Sequence, residues 1–424
     1  MCGIAGFVND MPIDVKCPVL QRMTDMIAHR GPDSEGHYID EHAALGHRRL
    51  SIIDLGGGQQ PIYNEDGSKV ITFNGEIYNY QTLREELIAA GHTFTTKSDT
   101  EVLLHGYEQW GVDLLQRVRG MFTFVIWDKN KQELFGARDH FGIKPFYYAK
   151  MNGTFMYASE IKSLLRHPDF VKELNAEALK PYMTFQYPAI GETFFKGVYK
   201  LPEGHYFTYR DGKMDIHRYY DEDFREGKQK LGELVNSIDQ TVCDSVKAHQ
   251  IADVEVGSFL SSGVDSSYVA AVARPQHTYS IGFGKGTYNE SQQAGELAEL
   301  LKLNNTAESL TDEEAFAAFP RIQWHLDEPD SNPSCVPLYF LSALAAKDVK
   351  VVLSGEGADE LFAGYIDYGG ATKFKPISLA PPPASRRAQG DRPVLQGQDL
   401  PGRMASVRQS CAGRGKLHRT GTCV

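Results

Sequence analysis

The chain has 424 residues, 42% hydrophobic and 23% charged, the make-up of a soluble globular protein with two or three domains. Its formal net charge of −11 argues against nucleic acid or an anionic membrane surface as the main partner. The six cysteines, at 2, 17, 243, 335, 411 and 423, form no Cys-x-x-Cys pair and no metal-ligand spacing. Free thiols in a reducing compartment are therefore expected. The start has no basic n-region and only a six-residue apolar run, and no stretch approaches the length of a membrane span, so a cytoplasmic protein without a leader is expected.

The chain opens Met1-Cys2-Gly3-Ile4-Ala5-Gly6-Phe7. Removal of Met1 is expected because the next residue is small, and Cys2 would then carry both a thiol and a free α-amino group. An amine of pKa about 7.7–8.0 can take the thiol proton, directly or through one water. From Cys2 to about Tyr209, short alternating apolar segments at 70–73, 121–127 and 154–157 predict strands of a mostly antiparallel system. Helical spacing runs over 80–90 and 101–110. This is an α+β pattern whose first strand begins at the cysteine. Three polar clusters interrupt it: His47-Arg48-Arg49-Leu50-Ser51-Ile52-Ile53-Asp54, then Asn74-Gly75-Glu76 directly after a strand, then Lys97-Ser98-Asp99. Taken singly they fit a solvated arginine face, an Asn-Gly turn and a helix cap.

A polar stretch at 221–230 marks a boundary, after which helices and strands alternate and predict a parallel sheet covered on both faces. A helix over 231–251 and an apolar strand over 254–260 lead into Ser261-Ser262-Gly263-Val264-Asp265-Ser266-Ser267, with a helix beginning near Tyr268. Strand, Gly/Ser loop and helix N-terminus together make an anion site. The loop lacks the Gly-Lys-Ser/Thr ending of a Walker A motif. Strands are predicted at 277–283 and 349–353, the second followed by Ser354-Gly355-Glu356-Gly357-Ala358-Asp359. Gly-rich, acidic loops at the C-terminal ends of strands are ligand positions in open α/β sheets, and Asp265 and Asp359 are the magnesium candidates. Residues 371–424 change character: no Glu, one aromatic, Pro381-Pro382-Pro383, and ten Lys and Arg against two Asp. A disordered basic tail is expected there.

Cys-Gly-Ile-x-Gly at 2–6, Arg-Gly-Pro-Asp-x-x-Gly at 30–36, Arg49-Leu50-Ser51, Asn74-Gly75-Glu76 and Ser98-Asp99 resemble the class II glutamine amidotransferase domain over roughly the first 210 residues. The resemblance implies an N-terminal-nucleophile αββα sandwich over 2–210, in which Cys2 attacks the side-chain amide of glutamine. Asn74 and the Gly75 N–H would form the oxyanion hole. Arg49 would grip the substrate carboxylate, with Leu50, Ser51 and Ile53 beside it, while Asp99 and Glu76 hold its ammonium.

Residues 231–370 look like a PP-loop ATP-pyrophosphatase domain, a doubly wound parallel sheet, with Ser262 where the Ser-Gly-Gly-x-Asp-Ser loop usually has its first glycine. The segment 327–340 is similar to the glutamine-dependent asparagine synthetases. What this implies is ATP held by Leu260, Ser261, Ser262, Gly263, Asp265, Ser266, Ile281, Ser354 and Gly355, and Mg2+ on Asp265 and Asp359. Aspartate would be activated as β-aspartyl-AMP, and ammonia would displace AMP with Glu356 as its acid–base group. The partners implied are glutamine, aspartate and ATP, with no nucleic acid and no membrane; a homodimer is compatible. That family continues with a Lys/Arg-bearing helical motif that contacts pyrophosphate, which is not found after Tyr365. The expectation is therefore a frame-shifted or truncated synthetase half, with 371–424 an atypical tail. Two alternatives stand beside it: a glutaminase-only or regulatory glutamine-binding remnant, and a related adenylating amidotransferase acting on another carboxylate.

Overall fold

The computed structural model describes residues 1–223, 227–283, 291–365 and 368. The first part of the chain builds twelve strands: β1 (Gly3–Val8), β2 (Ser34–Ile39), β3 (Ala43–Arg49), β4 (Ile62–Tyr63), β5 (Lys69–Ile77), β6 (Gly120–Asp128), β7 (Glu133–Arg138), β8 (Tyr147–Met151), β9 (Thr154–Ala158), β10 (Val198–Lys200), β11 (His205–Arg210) and β12 (Lys213–Arg218). Five helices join them: α1 (Ile13–Asp25), α2 (Tyr80–Ala89), α3 (Asp99–Trp110), α4 (Ile161–Leu164) and α5 (Leu179–Phe185). The strands form two six-stranded antiparallel sheets, ordered β10-β8-β9-β1-β3-β2 and β12-β11-β7-β6-β5-β4.

Three apolar cores stack these layers. Ile4, Leu45, Val125, Trp127, Phe155 and Phe207 fill the space between the sheets. Ala5, Phe7, Leu20, Met23, Ile161 and Leu164 pack the first sheet on α1 and α4. Ile71, Phe73, Leu87, Leu103, Leu104 and Phe124 pack the second on α2 and α3. The result is a four-layer αββα sandwich. Because the central strands are covered on both faces, β9 is buried at every position instead of alternating.

Asn74-Gly75-Glu76 lies inside β5, paired with Thr123, Phe122 and Met121 of β6, rather than in a turn after it. Gly75 permits this: a Cβ there would sit 2.2 Å from the Met121 carbonyl oxygen. Across the sandwich, His47 of β3 is wholly buried, with Nε2 3.0 Å from the Phe73 carbonyl of β5.

After the first part come α6 (Leu231–His249), β13 (Val256–Phe259), α7 (Val264–Ala273), β14 (His277–Phe283), α8 (Ser291–Leu301), β15 (Asn304–Leu310), α9 (Asp312–Leu326), α10 (Cys335–Ala345) and β16 (Val351–Leu353). The four strands are parallel and ordered β15-β14-β13-β16, so the order reverses at β13. One face packs Leu260 on Ala270, Ala294 and Ala298 of α7 and α8. The other packs Phe259, Tyr279 and Val352 on Leu344 and Ala345 of α10. Helix α7 begins at Val264, four residues before the expected start, because Gly263 takes the extended N-cap conformation (φ −69°, ψ 152°) and its carbonyl accepts from the Ser267 N–H at 3.1 Å. A second compact unit starts at Gly355 and holds the short helix α11 (Ala358–Phe362). The expected tail at 371–424 lies outside the described residues.

Burial pushes the pKa of His47 down to about 3, so it is a neutral imidazole donating Nε2–H. In the unfolded chain it titrates near 6.5. Protons therefore favour the unfolded chain between those values, and stability falls as pH drops from about 6.5 toward 3, by at most roughly 1.4 kcal/mol per pH unit from this group. Urea titrations between pH 4 and 6.5 should show a shallower pH slope for His47→Gln than for the parent. Equal slopes would show that the histidine is not held neutral.

Candidate active site at Cys2

Cys2 stands at the head of β1, in the middle of the first sheet, and faces a pocket lined also by Arg49, Leu50, Ile53, Asn74, Gly75, Glu76 and Asp99. These residues come from the end of β3 and the loop after it, from β5 in the opposite sheet, and from the first turn of α3. The Leu50 N–H lies 3.4 Å from Cys2 Sγ, and the thiol faces the Leu50 carbonyl at 3.6 Å. Both Asn74 amide atoms are buried and have no hydrogen-bond partner among the described residues. An unpaired buried amide is costly, so its presence beside a thiol marks a place where a ligand oxygen supplies the missing bond. Arg49 is 4% exposed; its Nη2 donates to the Ile53 carbonyl at 3.1 Å and the Asp54 carbonyl at 2.7 Å, which curls the loop around the guanidinium. Gly58 lets that loop close, since a Cβ there would lie 2.6 Å from Arg49 Nη2.

The pocket is electrostatically unusual. Burial pushes the Glu76 carboxyl up to about 7, against the lowering charge of Lys144, and neighbouring Asp99 raises it further. Burial also lifts Asp99 to about 6, although its Oδ2 accepts from the Ile77 N–H at 3.0 Å. Burial raises the Cys2 thiol, opposed by the chain's α-amino group and the Leu50 N–H. Ser98 caps α3 by accepting from the Thr100 N–H, which fixes Asp99 in the helix's first turn.

Ser51 alone of the expected glutamine set lies outside the lining. Its N–H donates instead to Asp33 Oδ2 at 2.8 Å, the oxygen that also receives Lys350 Nζ at 2.6 Å. Gln60 and Lys144 are among the lining residues that were not anticipated. Gln60 accepts from the Phe73 N–H at 2.7 Å and donates to the Phe73 carbonyl at 3.2 Å, taking the place of a strand partner beside Asn74. Lys144, 2% exposed, reaches the Met1 sulfur at 2.7 Å. Neither stands in a polar cluster of the sequence.

Behind the pocket, Arg30 Nε donates to the Cys2 carbonyl at 3.0 Å and its Nη1 pairs with Glu160 Oε1 at 3.0 Å. Glu160 also pairs with Lys162 at 2.5 Å, and Lys162 with Asp327 at 2.9 Å. Burial alone would raise Glu160; the His29 contact and the charges of Arg30 and Lys162 hold it far below the usual carboxylate range. Asp327 accepts from the Ile161 N–H at 2.6 Å. Nearby, the Asp54 N–H donates to Asp253 Oδ2 at 2.7 Å and the Asp253 N–H to the Ile52 carbonyl at 2.9 Å.

In the parallel-sheet part, Ser261 and Ser266 hydroxyls meet at 2.8 Å and the Gly263 N–H donates to Ser261 Oγ at 3.1 Å, closing the loop at the C-terminal end of β13. Ser262 and Gly263 are exposed at its tip, and Asp265 and Ser266 lie in the first turn of α7. Leu260 is buried against the sheet, its N–H bonded to the Tyr279 carbonyl at 2.8 Å, and Ile281 sits in β14. Ser354 follows β16, the neighbour of β13. Gly355, Glu356 and Asp359 belong to the second compact unit, with Asp359 in the first turn of α11.

A thiol at the head of a central strand, an unpaired amide on the facing sheet and an arginine with two carboxylates around them define an amidotransferase-type sandwich, here followed by a parallel-sheet domain. A family model described as a glutamine amidotransferase domain matches residues 1–220, and one described as asparagine synthase matches residues 237–412. Asparagine synthetase [glutamine-hydrolyzing] 1 of Bacillus subtilis is 44% identical over 389 residues, covering 90% of this chain and 61% of that protein. A putative asparagine synthetase [glutamine-hydrolyzing] of Mycobacterium tuberculosis is 38% identical, with 94% and 65% covered. The putative asparagine synthetase [glutamine-hydrolyzing] 2 of Methanocaldococcus jannaschii is 34% identical, with 87% and 76% covered. The chain belongs to the glutamine-hydrolysing asparagine synthetase family. It spans 61% of the Bacillus relative and 65% of the mycobacterial one.

The unpaired Asn74 amide generates a test that needs no substrate. Asn74→Leu exchanges two unsatisfied buried atoms for apolar ones of similar shape, so the unfolding free energy should hold or rise by about 1 kcal/mol. Turnover of any substrate whose oxyanion it binds should fall by about 100- to 1,000-fold. A clear loss of stability in urea would show that the amide is bonded in the empty protein.

Proposed function

We propose that the protein makes asparagine from aspartate, with glutamine as nitrogen donor and ATP as activating substrate. The observation that carries the reading is the pocket: one thiol, one unpaired buried amide, one guanidinium and two carboxylates raised toward neutrality by burial. Glutamine supplies a complement to each. Its α-carboxylate suits Arg49, its α-ammonium suits Asp99 and Glu76, and its side-chain carbonyl suits the Asn74 amide and the Gly75 N–H. Cys2 Sγ attacks the amide carbon, the C–N bond breaks, ammonia leaves and water hydrolyses the thioester to glutamate. The proposed domains are the first sandwich, which β12 carries past the expected limit of 210 to Arg218, and 231–370.

In the second half, the carboxylate of aspartate attacks the α-phosphorus of ATP and pyrophosphate leaves. Ammonia then attacks the acyl carbon and AMP leaves, with Glu356 taking the proton. The first turn of α7, beside the exposed Ser262–Gly263 tip, offers its backbone donors to phosphate, and Ser266 holds Ser261 in place. Magnesium, when bound, neutralises phosphate charge. Asp265, in the first turn of α7, would hold it, a donor that fits an ion bound by a carboxylate plus phosphates; Asp359 is the alternative candidate. A cytoplasmic setting is part of the same reading. No helix among the described residues is long and apolar enough to cross a membrane.

Purified protein given glutamine, aspartate and Mg-ATP should release asparagine and AMP in step with glutamate, read in one mass-spectrometric run. Glutamate alone would leave only the glutaminase reading, and AMP release indifferent to aspartate would point to another carboxylate. Cys2→Ala should stop the glutamine-driven reaction and keep synthesis from added ammonium.

Glutamine binding has its own pH signature. Glu76 and Asp99 acquire charge as pH rises through about 6 to 7. Calorimetry on the Cys2→Ala protein should show glutamine affinity tightening roughly tenfold between pH 5.5 and 7.5. Asp99→Asn should flatten that dependence. A pH-independent affinity in the Cys2→Ala protein would remove these carboxylates from the ammonium site.

A further inference from the structure

Two histidines and two glutamates converge beside α3, about 9 Å along the helix from Asp99. Glu65 comes from the turn between β4 and β5, and His92 from the loop after α2. His105 and Glu108 sit at i and i+3 on α3, which puts them on one face. One ligand-type atom from each lies within 4.8 Å of the other three. Glu65 Oε1 is 3.1 Å from His92 Nδ1, Glu65 Oε2 is 3.3 Å from His105 Nδ1, and Glu108 Oε2 is 3.2 Å from the same Nδ1. Nitrogen and oxygen ligands at about 2.0–2.2 Å from a tetrahedral ion stand about 3.3–3.6 Å apart, so these three contacts are close to that spacing, and the wider separations of the set, all within 4.8 Å, would close by up to about 1.2 Å.

The surroundings orient both rings. His92 Nε2 is 3.2 Å from Gln109 Oε1, and His105 Nε2 faces Glu101 Oε1 at 3.5 Å. The far nitrogen of each ring also faces an oxygen, so both rings are already oriented, and an ion that replaced the Nδ1 protons now donated to the glutamates would meet the lone pairs of metal-bound imidazole. Glu101 is itself fixed by the N–H and hydroxyl groups of Thr95 and Thr96, at 2.6–3.0 Å. Glu108 Oε1 is occupied by Asn64 Nδ2 at 2.7 Å and Lys69 at 3.5 Å, which leaves Oε2 for the cluster. The His105 side chain is 1% exposed, and its Nε2 makes no hydrogen bond among the described residues. Three carboxylates (Glu65, Glu101 and Glu108) against the single Lys69 leave two negative charges, the complement of a divalent cation, once an ion replaces the protons that the rings now share with them.

We propose that Glu65, His92, His105 and Glu108 bind a zinc-class divalent ion that staples the β4–β5 turn, the α2–α3 loop and α3 together. With all four positions filled by side chains, the site is structural, not catalytic. It does not depend on the reaction proposed above.

The test uses the full chain with Cys2→Ser, so that the pocket thiol cannot hold metal. After chelator treatment and dialysis, zinc chloride is titrated by calorimetry and retained zinc is measured by mass spectrometry. One zinc per chain is expected, falling to near zero in His92→Ala and Glu65→Gln, whose folding is checked by circular dichroism. Gln109→Ala should weaken binding roughly tenfold or more by releasing His92. Cobalt should give the absorption of a tetrahedral site in the parent and lose it in His92→Ala. A parent that retains no zinc, or zinc content unchanged by both ligand substitutions, would overturn the proposal and leave a proton-held ion cluster.

Discussion

A single imidazole ties together the two sheets on which the candidate site depends. Cys2 precedes β1 and Asn74 lies in β5, so the nucleophile and the amide facing it belong to different layers, and apolar packing alone leaves their relative position soft. His47 pairs with Ile4 across β1 and β3, and its Nε2–H reaches the carbonyl of Phe73, next to Asn74. The bond works because His47 stays neutral: a charged ring would have no acceptor for Nδ1, which has no partner among the described residues. Gln60 holds the same peptide from its other side, replacing the strand that β4 is too short to supply. The pocket is therefore set by polar bonds placed inside an apolar sandwich, where competing water is absent.

The second constraint is charge. Arg30, Glu160, Lys162 and Asp327 form a buried relay that starts at the Cys2 carbonyl. Buried ion pairs contribute little net stability, but losing one member typically costs about 3–5 kcal/mol because its partner is left unpaired. Such a relay specifies position more than it stabilises. It keeps the head of β1 from sliding, and the anchor at its far end lies at the end of α9.

The legible parts of this protein are those written in short contiguous runs. Cys2, Arg49, Asn74-Gly75-Glu76 and Asp99 sit in polar clusters that interrupt apolar strands, and each reaches the pocket through its own strand end or helix cap. Gln60 and Lys144 were hidden because only the fold brings them there: one substitutes for a missing strand, and the other stands in a loop pinned by Arg138 and Asp139. Ser51 stands between lining residues, and its N–H is bonded to Asp33, eighteen residues upstream, a partner that only the fold brings to it. The strand pattern was legible only in part, because burial on both faces erases alternation in β9. Gly263 hid the true start of α7, an extended glycine looking like loop until the turn after it closes. The Glu65–His105 cluster was invisible because its members are 40 residues apart and carry no metal-ligand spacing.

The contacts of Asp327 and Asp253 have a practical meaning for anyone recombining this chain with a relative. The polar stretch at 221–230 divides the sequence, yet the electrostatics run straight through it. Lys162 is neutralised in part by a carboxylate encoded 165 positions later, and the loop that curls round Arg49 is latched by Asp253. A chimaera joined at that stretch inherits half of each pair. Unless Lys162 travels with Asp327, and residues 52–54 with Asp253, the graft carries a stranded buried charge into the wall behind its own nucleophile. The natural unit of exchange is thus a set of matched pairs and not a segment.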